Sequence, residues 1–211
     1  MAGYTLYGQA GSGSMVVEAA FALAGVSVEV VPVAWDDLGW QSGPLRSLNP
    51  LGQLPTLILP DGQVMTESAA MILHLADRHP SAGLAPAVGH QQRDAFLRWL
   101  VFLVAAVYPT FTYGDEPERW VEGDYTASGK LLRGTNAHRE SLYRHLESAA
   151  GDPWFLGDTF SAIDLYLWLM RHWRPGLEWF QKQCPRLSGI GDRTGQLAPV
   201  AGVQRRNFPN D

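Results

Sequence analysis

The chain has 211 residues, 46% of them apolar and 18% charged, with a formal net charge of −5. That length holds one large domain or two small ones and the apolar share supplies a full core, while sixteen scattered Lys and Arg in an acidic chain offer no field for a nucleic-acid backbone. The single cysteine, Cys184, excludes an intrachain disulfide and a CxxC redox centre; with no charged-then-apolar leader, and an apolar run (Trp99–Tyr108) about half the ~20 residues of a membrane span, the expectation is a soluble, cytosolic protein.

Thr5-Leu6-Tyr7 predicts a short strand, and Ser14–Ala24 a helix closed by Gly25, which can adopt the left-handed cap. Val28–Val33 predicts a second strand, and Pro32, unable to donate to a ladder, assigns it to a sheet edge. Leu54–Leu59 and Gln63–Met65 flank the turn sequence Pro60-Asp61-Gly62 and predict a hairpin. Ser68–Arg78, with Met71, Ile72 and Leu75 at helical spacing, predicts a helix that stops at His79-Pro80. Pro80–Pro86 breaks the periodicity and reads as a linker.

Beyond the linker the pattern is helical throughout. His90–Tyr108 predicts one long helix interrupted or kinked at Pro109, and Tyr125–Ala150 a second with Leu131, Leu142, Leu146 and Ala149 on one face. Ile163–Met170 is apolar on every side except Asp164, the pattern of a helix enclosed by others. From Cys184 onward frequent glycine and proline predict short helices and a partly irregular tail.

Asn49-Pro50-Leu51-Gly52-Gln53-Leu54-Pro55-Thr56-Leu57 carries the most chemistry. Pro55 belongs at a strand's beginning or on a bend, where a cis peptide bond turns the Leu54 N–H and C=O outward to pair with a bound peptide as an added strand would. Ten residues after Thr56, Thr66-Glu67-Ser68 heads a helix, where the Ser68 hydroxyl, its N–H and the positive helix end suit a free carboxylate. Glu67 also reads simply as a first-turn acid favoured by the helix dipole, and Gln53 either reaches a ligand by its amide or faces solvent.

Gly52-Gln53-Leu54-Pro55 resembles the run into the third strand of the glutathione S-transferase superfamily, and Glu67-Ser68 resembles its γ-glutamyl-binding pair. Phe160-Ser161-Ala162-Ile163-Asp164, after Leu156-Gly157-Asp158, resembles the capping box that opens the central helix of that family's C-terminal domain. The resemblance covers nearly the whole chain. It implies a thioredoxin-like α/β domain over residues 1–80, in βαβ then ββα order with Pro55 cis, a linker over 81–88 and an all-α domain over 89–211. It also implies a cytoplasmic homodimer of the bacterial type that uses glutathione as co-substrate in detoxification, with no metal, and adds its thiolate to a small hydrophobic electrophile. A glutathione-dependent isomerase or dehalogenase, or a binding and interaction module without chemistry, shares the same implied fold.

Such chemistry requires an ionised thiol, and a free thiol has a pKa near ~8.5. A hydroxyl or N–H donating to sulfur, and a helix N-terminus aimed at it, lower that value; Gly11-Ser12-Gly13-Ser14 supplies both. Ser12 is the first candidate for thiol partner, with Ser14 and Tyr7 as alternatives. Ser14 reads also as a helix cap and Tyr7 as a packed sheet aromatic. A cysteine-bearing bacterial class of the family would place its cysteine at Gly13, which speaks against thiol–disulfide exchange. Tyr108, Phe111, Tyr113 and Trp120 are the candidate wall of the electrophile's site, although aromatic clusters are commonly core. Ser161 and Asp164 have capping-box spacing and are assigned to structure. The six histidines show no HExxH and no pairing with cysteine, so no metal is expected.

Overall fold

The structure, a computed structural model, describes residues 3–35 and 44–208. Two compact units divide the chain: residues up to 87 together with those from 193 onward, and residues 88–192.

The first unit holds a four-stranded sheet of β1 (Tyr4–Gly8), β2 (Val28–Pro32), β3 (Thr56–Ile58) and β4 (Val64–Met65) in the order β2-β1-β3-β4. β1 pairs parallel with β2 and antiparallel with β3, and β3 pairs antiparallel with β4. Pro32 therefore lies on an edge strand, where its missing donor costs no central ladder bond. Helix α1 (Ser14–Ala24) connects the parallel pair and ends at Gly25, whose φ of 65° fits only a residue without a Cβ clash. Helix α2 (Ser68–Arg78) follows the β3–β4 hairpin and buries Met71, Ile72 and Leu75. This is the thioredoxin-like plan, with Leu6, Met15, Val16, Val17, Phe21 and Leu57 fully buried between sheet and helices.

Helix α9 (Ala198–Asn207) completes this unit by packing on α1. Val200 and Val203 are fully buried, and the Glu18 carboxylate of α1 accepts Arg206 Nε at 3.0 Å, Arg206 Nη2 at 2.6 Å and Asn207 Nδ2 at 3.0 Å. The expectation for 89–211 assigned this stretch to the helical domain, with short helices and a partly irregular tail; the helices are short, but the contacts of this one group it with residues 3–87, and it is helical to Asn207. Glycine and proline frequency missed the two buried valines and the arginine at helical spacing.

The second unit is helical. A continuous run from Arg93 to Asp115 comprises α3 (Arg93–Phe102), a π-helical turn (Leu103–Val107) and α4 (Tyr108–Asp115). Pro109 was expected to interrupt or kink it, and the α-helical pattern does give way to the π turn just before that residue, without a break in the run. The proline stands in the first turn of α4, and Thr110 Oγ1 donates to Val107 C=O at 2.6 Å. By length and composition this 23-residue run is apolar enough to cross a membrane; within the second unit Phe96, Trp99, Leu100, Leu103, Val107 and Phe111 are buried.

Helix α5 (Tyr125–Ala149) starts at Asp124, whose carboxylate accepts Thr126 N–H at 2.8 Å and Ala127 N–H at 3.0 Å. Its buried residues are Ser128, Arg139, Tyr143 and Leu146; Ala149, expected on that face, is exposed, because 139, 143 and 146 set the stripe. Helix α6 (Ala162–Met170) is buried at every position. Helix α7 (Leu177–Gln183) and α8 (Pro185–Gln196) follow, α8 running on into the residues that group with the first unit.

Candidate functional site

Strand register brings three segments to one end of the sheet. Tyr7 lies opposite Thr56 and Leu57 opposite Met65. The chain leaving β1 (Gln9–Ser14), the chain arriving at β3 (Gln53–Pro55) and the chain leaving β4 (Thr66–Ser68) therefore share that end. Ser12, Leu54 and Glu67, far apart in sequence, belong to one region of the first unit.

The approach to β3 is built by Asn49, a buried residue that sequence reasoning left without a role. Asn49, Pro50, Leu51 and Gly52 form a turn closed by Gly52 N–H to Asn49 C=O at 2.8 Å, with Gly52 at φ 60°. Asn49 Oδ1 accepts Leu51 N–H at 3.1 Å, while its Nδ2 donates to Gln53 C=O and to Thr56 Oγ1, both at 3.0 Å. Thr56 Oγ1 in turn donates to Gln53 C=O at 2.9 Å. The Asn-Pro dipeptide was the available signal, since asparagine before proline opens turns. The Leu54–Pro55 bond is cis. Pro55 is buried, Leu54 half-buried and Gln53 exposed, and the β3 ladder begins only at Thr56, beyond Leu54.

Glu67 precedes α2 with φ 65° and ψ 104°, a conformation that a non-glycine residue adopts at a cost of order 1–3 kcal/mol. Its C=O accepts Met71 N–H at 3.1 Å, so the helix already begins there, and its side chain is exposed. Ser68 is the first helical residue and is nearly buried. Backbone strain of this kind is held where surrounding structure over-determines it, commonly at ligand-holding positions.

The loop before α1 is organised by two buried hydroxyls. Ser12 and Ser14 are 7% and 4% exposed, and their Oγ atoms are 2.8 Å apart. Ser12 Oγ accepts Ser14 N–H at 3.2 Å; Ser14 Oγ accepts Gln9 N–H at 3.2 Å and faces Gln9 C=O at 3.3 Å. The capping reading of Ser14 is corrected: Gly13 is the cap residue, and it is Ser12 whose oxygen takes up a free N–H of the first turn. Tyr7 is half-buried within β1, paired with Val31 and Thr56.

In the second unit the four predicted aromatics separate into two groups. Phe111 is buried under the Arg139 guanidinium, 4.1 Å from its ring centre, and meets Trp173 at 5.1 Å. Tyr108 packs on Tyr166 and Trp173, both at 5.8 Å, and enclosure of its hydroxyl raises its pKa well above the ordinary tyrosine value. Tyr113 and Trp120 are both exposed and pair edge-on at 4.8 Å, with Trp120 Nε1 donating to Thr112 C=O at 3.0 Å. Pro109 does not open the run containing Tyr108 and Phe111, so these two belong to the packed group.

The Ser161–Asp164 capping box is present at the start of α6. The Asp164 carboxylate accepts Ser161 N–H and Phe155 N–H, both at 2.8 Å, and the reverse contact to Ser161 Oγ is the looser half. Burial raises Asp164 to about 7 against the opposing pull of those N–H donors. Cys184 is fully buried, and burial pushes its thiol up to about 12. Among the described residues no group of three or more His, Cys, Asp or Glu is placed to hold a metal ion.

A cis-proline approach to the third strand, a strained residue before α2 and a hydroxyl loop before α1, all on a thioredoxin-like sheet, make up the candidate site. Residues 6–83 match the family model of the glutathione S-transferase N-terminal domain. An uncharacterized GST-like protein of Escherichia coli K12, YncG, is 42% identical over 204 residues, covering 96% of this chain and 97% of the relative. The chain belongs to the glutathione S-transferase superfamily.

Solved relatives agree. A glutathione transferase of Methylococcus capsulatus has a TM-score of 0.75 at 26% identity and covers 97% of this chain and 98% of its own. A Sulfitobacter homologue, solved with bound glutathione, has a TM-score of 0.84 at 22% identity and covers 98% and 99%; at that identity it supports the fold.

Proposed function

We propose that the protein binds glutathione, holds its thiol as thiolate and adds it to a small hydrophobic electrophile. The observation that carries this reading is the meeting of Ser12, Leu54-Pro55 and Glu67-Ser68 at one end of the sheet. Leu54, outside the β3 ladder beside a cis proline, has backbone groups suited to pair with the cysteinyl backbone of the tripeptide. Glu67 takes the γ-glutamyl ammonium; the Ser68 hydroxyl and the N-terminus of α2 take its carboxylate. Gln53, exposed beside them, adds an amide within the same segment.

Ser12 is the thiol partner in this scheme. As glutathione binds, its thiol proton leaves to solvent, and the Ser12 O–H donates to the sulfur anion that remains, lowering the thiol pKa from ~8.5. The thiolate then forms the carbon–sulfur bond as the electrophile's leaving group departs or its double bond accepts the electron pair. Of the aromatics, Tyr113 and Trp120 are the exposed pair available to an apolar acceptor. A cytoplasmic homodimer with a detoxifying role is carried over from the family.

Titration of glutathione by thiolate ultraviolet absorbance, with and without the protein, tests the reading. A bound thiol that ionises below the free one is the expected result. Binding without a lowered pKa removes the enzyme and leaves a binding module; no binding removes the ligand.

A further inference from the structure

We infer that Ser14 is a positioning residue that directs and strengthens the Ser12 hydroxyl as a donor; this rests on the glutathione reading proposed above. The two hydroxyl protons of the Ser12–Ser14 pair have two self-consistent arrangements. In the first, Ser14 donates to Gln9 C=O across 3.3 Å and Ser12 donates to Ser14 Oγ across 2.8 Å. Both protons then point into the loop, and Ser12 has none to offer an outside anion. In the second, Ser14 donates to Ser12 Oγ across the same 2.8 Å, which frees the Ser12 proton to point outward.

The second arrangement gives up only the long contact to Gln9 C=O, and that oxygen still accepts Ser12 N–H at 3.0 Å. The one group left without an acceptor is the Ser12 O–H itself, the proton on offer to an outside anion. Ser12 Oγ then accepts two donors, Ser14 N–H and Ser14 O–H, while Ser14 Oγ itself accepts Gln9 N–H. Donors in series polarise one another, so the Ser12 O–H at the end of the chain Gln9 N–H, Ser14 O–H, Ser12 O–H is a stronger donor than an isolated serine. An arriving thiolate supplies the missing outward acceptor and selects this arrangement by rotation of two hydroxyls. No covalent bond forms or breaks within the pair, and the thiol proton still leaves to solvent.

Gly8 fixes where the Ser14 hydroxyl sits. A Cβ at residue 8 would stand 2.6 Å from Ser14 Oγ and 2.8 Å from Ser14 Cβ, distances that real Cβ atoms do not tolerate. The glycine is required for space, and Gly8→Ala displaces the Ser14 hydroxyl while leaving both serines chemically intact.

The test measures the pKa of bound glutathione by thiolate absorbance in the parent, Ser12→Ala, Ser14→Ala and Gly8→Ala proteins. Affinity for S-methylglutathione, which has no thiol to ionise, is measured alongside. With a lowered pKa in the parent, Ser14→Ala and Gly8→Ala are each expected to cut the ionised fraction at neutral pH roughly fivefold, with S-methylglutathione affinity unchanged. Ser12→Ala should cut it further. An unshifted pKa in Ser14→Ala overturns the inference, as does a rise in Ser14→Ala with none in Ser12→Ala, which would make Ser14 the direct donor. If Ser14→Ala does not fold, Gly8→Ala decides alone: a parent-like pKa there overturns it. Failure of the parent to lower the pKa, or to bind, instead overturns the glutathione reading itself.

Discussion

Removing the Asp164 carboxylate should unfold the protein far more readily than loss of an ordinary helix cap. A surface cap is worth about 0.5–2 kcal/mol, but Asp164 is fully buried and satisfies two N–H groups, Ser161 of the cap and Phe155 of the preceding loop. Asp164→Ala leaves both without an acceptor in the interior, at about 1–3 kcal/mol each, so a loss of about 2–6 kcal/mol is expected. The pH dependence separates burial from hydrogen bonding. The unfolded chain releases this proton near the ordinary 3.8, whereas the folded protein holds it to about 7. Between those values the native state binds more protons than the unfolded one, so the contribution of Asp164 is full below pH ~4 and declines by about 4 kcal/mol as pH rises through 7. Asp164→Asn does not titrate, so the stability gap between parent and this variant should be largest at pH ~4 and below and narrow towards pH 8. Denaturant unfolding followed by tryptophan fluorescence across that range measures both quantities. A loss under ~1 kcal/mol in Asp164→Ala refutes the cap argument. A gap that widens with pH shows a carboxylate kept charged by its two N–H donors, and the burial argument fails. In either case glutathione affinity of the folded fraction should be unchanged.

Asn49→Ala removes three hydrogen bonds that shape the bend before Leu54, and a loss of about 2–4 kcal/mol together with weaker glutathione binding is expected from unfolding curves and calorimetry. Full affinity in a stable Asn49→Ala protein would mean that the bend is held by other means. Glu18→Ala removes the acceptor shared by Arg206 and Asn207, leaving Asn207 its bond to Val203 C=O and Arg206 to water, and should cost about 1 kcal/mol, appearing first as faster hydrogen exchange and proteolysis in α9; unaltered protection there would show that Val200 and Val203 dock the helix unaided. Cys184 should resist thiol reagents at pH 8 in the native protein and react fully once unfolded, since it is buried and its thiol is pushed up to about 12. Native reactivity at the rate of a free thiol would contradict that burial.

Local sequence signals carried the first unit well because each of its decisions is made by one or two residues. Gly25 ends α1, Pro32 selects an edge strand, and Pro60-Asp61-Gly62 turns the hairpin, so the bounds of α1 and α2 follow from caps and breakers alone. The long-range partners were illegible for the complementary reason. Nothing near Arg206 in sequence announces Glu18, 188 positions away, and a glycine-rich tail hides a helix whose stability comes from that distant carboxylate and from two valines facing α1. Pro109 marked a real irregularity without saying which: a residue that breaks an isolated α-helix is accommodated after one wider turn when the helix is locked in a core.

The site shows the same division. Leu54-Pro55 was visible because a proline at the entry to a strand is a signal in itself, and Glu67-Ser68 because an acid and a serine head an amphipathic run; the positive φ of Glu67 was not legible, since nothing in a glutamate announces it. The hydroxyl loop was visible only as a set of candidates. Which serine caps and which can donate depends on a 2.8 Å contact between side chains two residues apart, and on Gly8 leaving room for it. Ser12 was chosen from the motif, yet in the folded chain its proton is free only when that of Ser14 is turned towards it. On the proposed reading the unit of function at the head of α1 is the pair, and an alanine at either position should be read as a change in both.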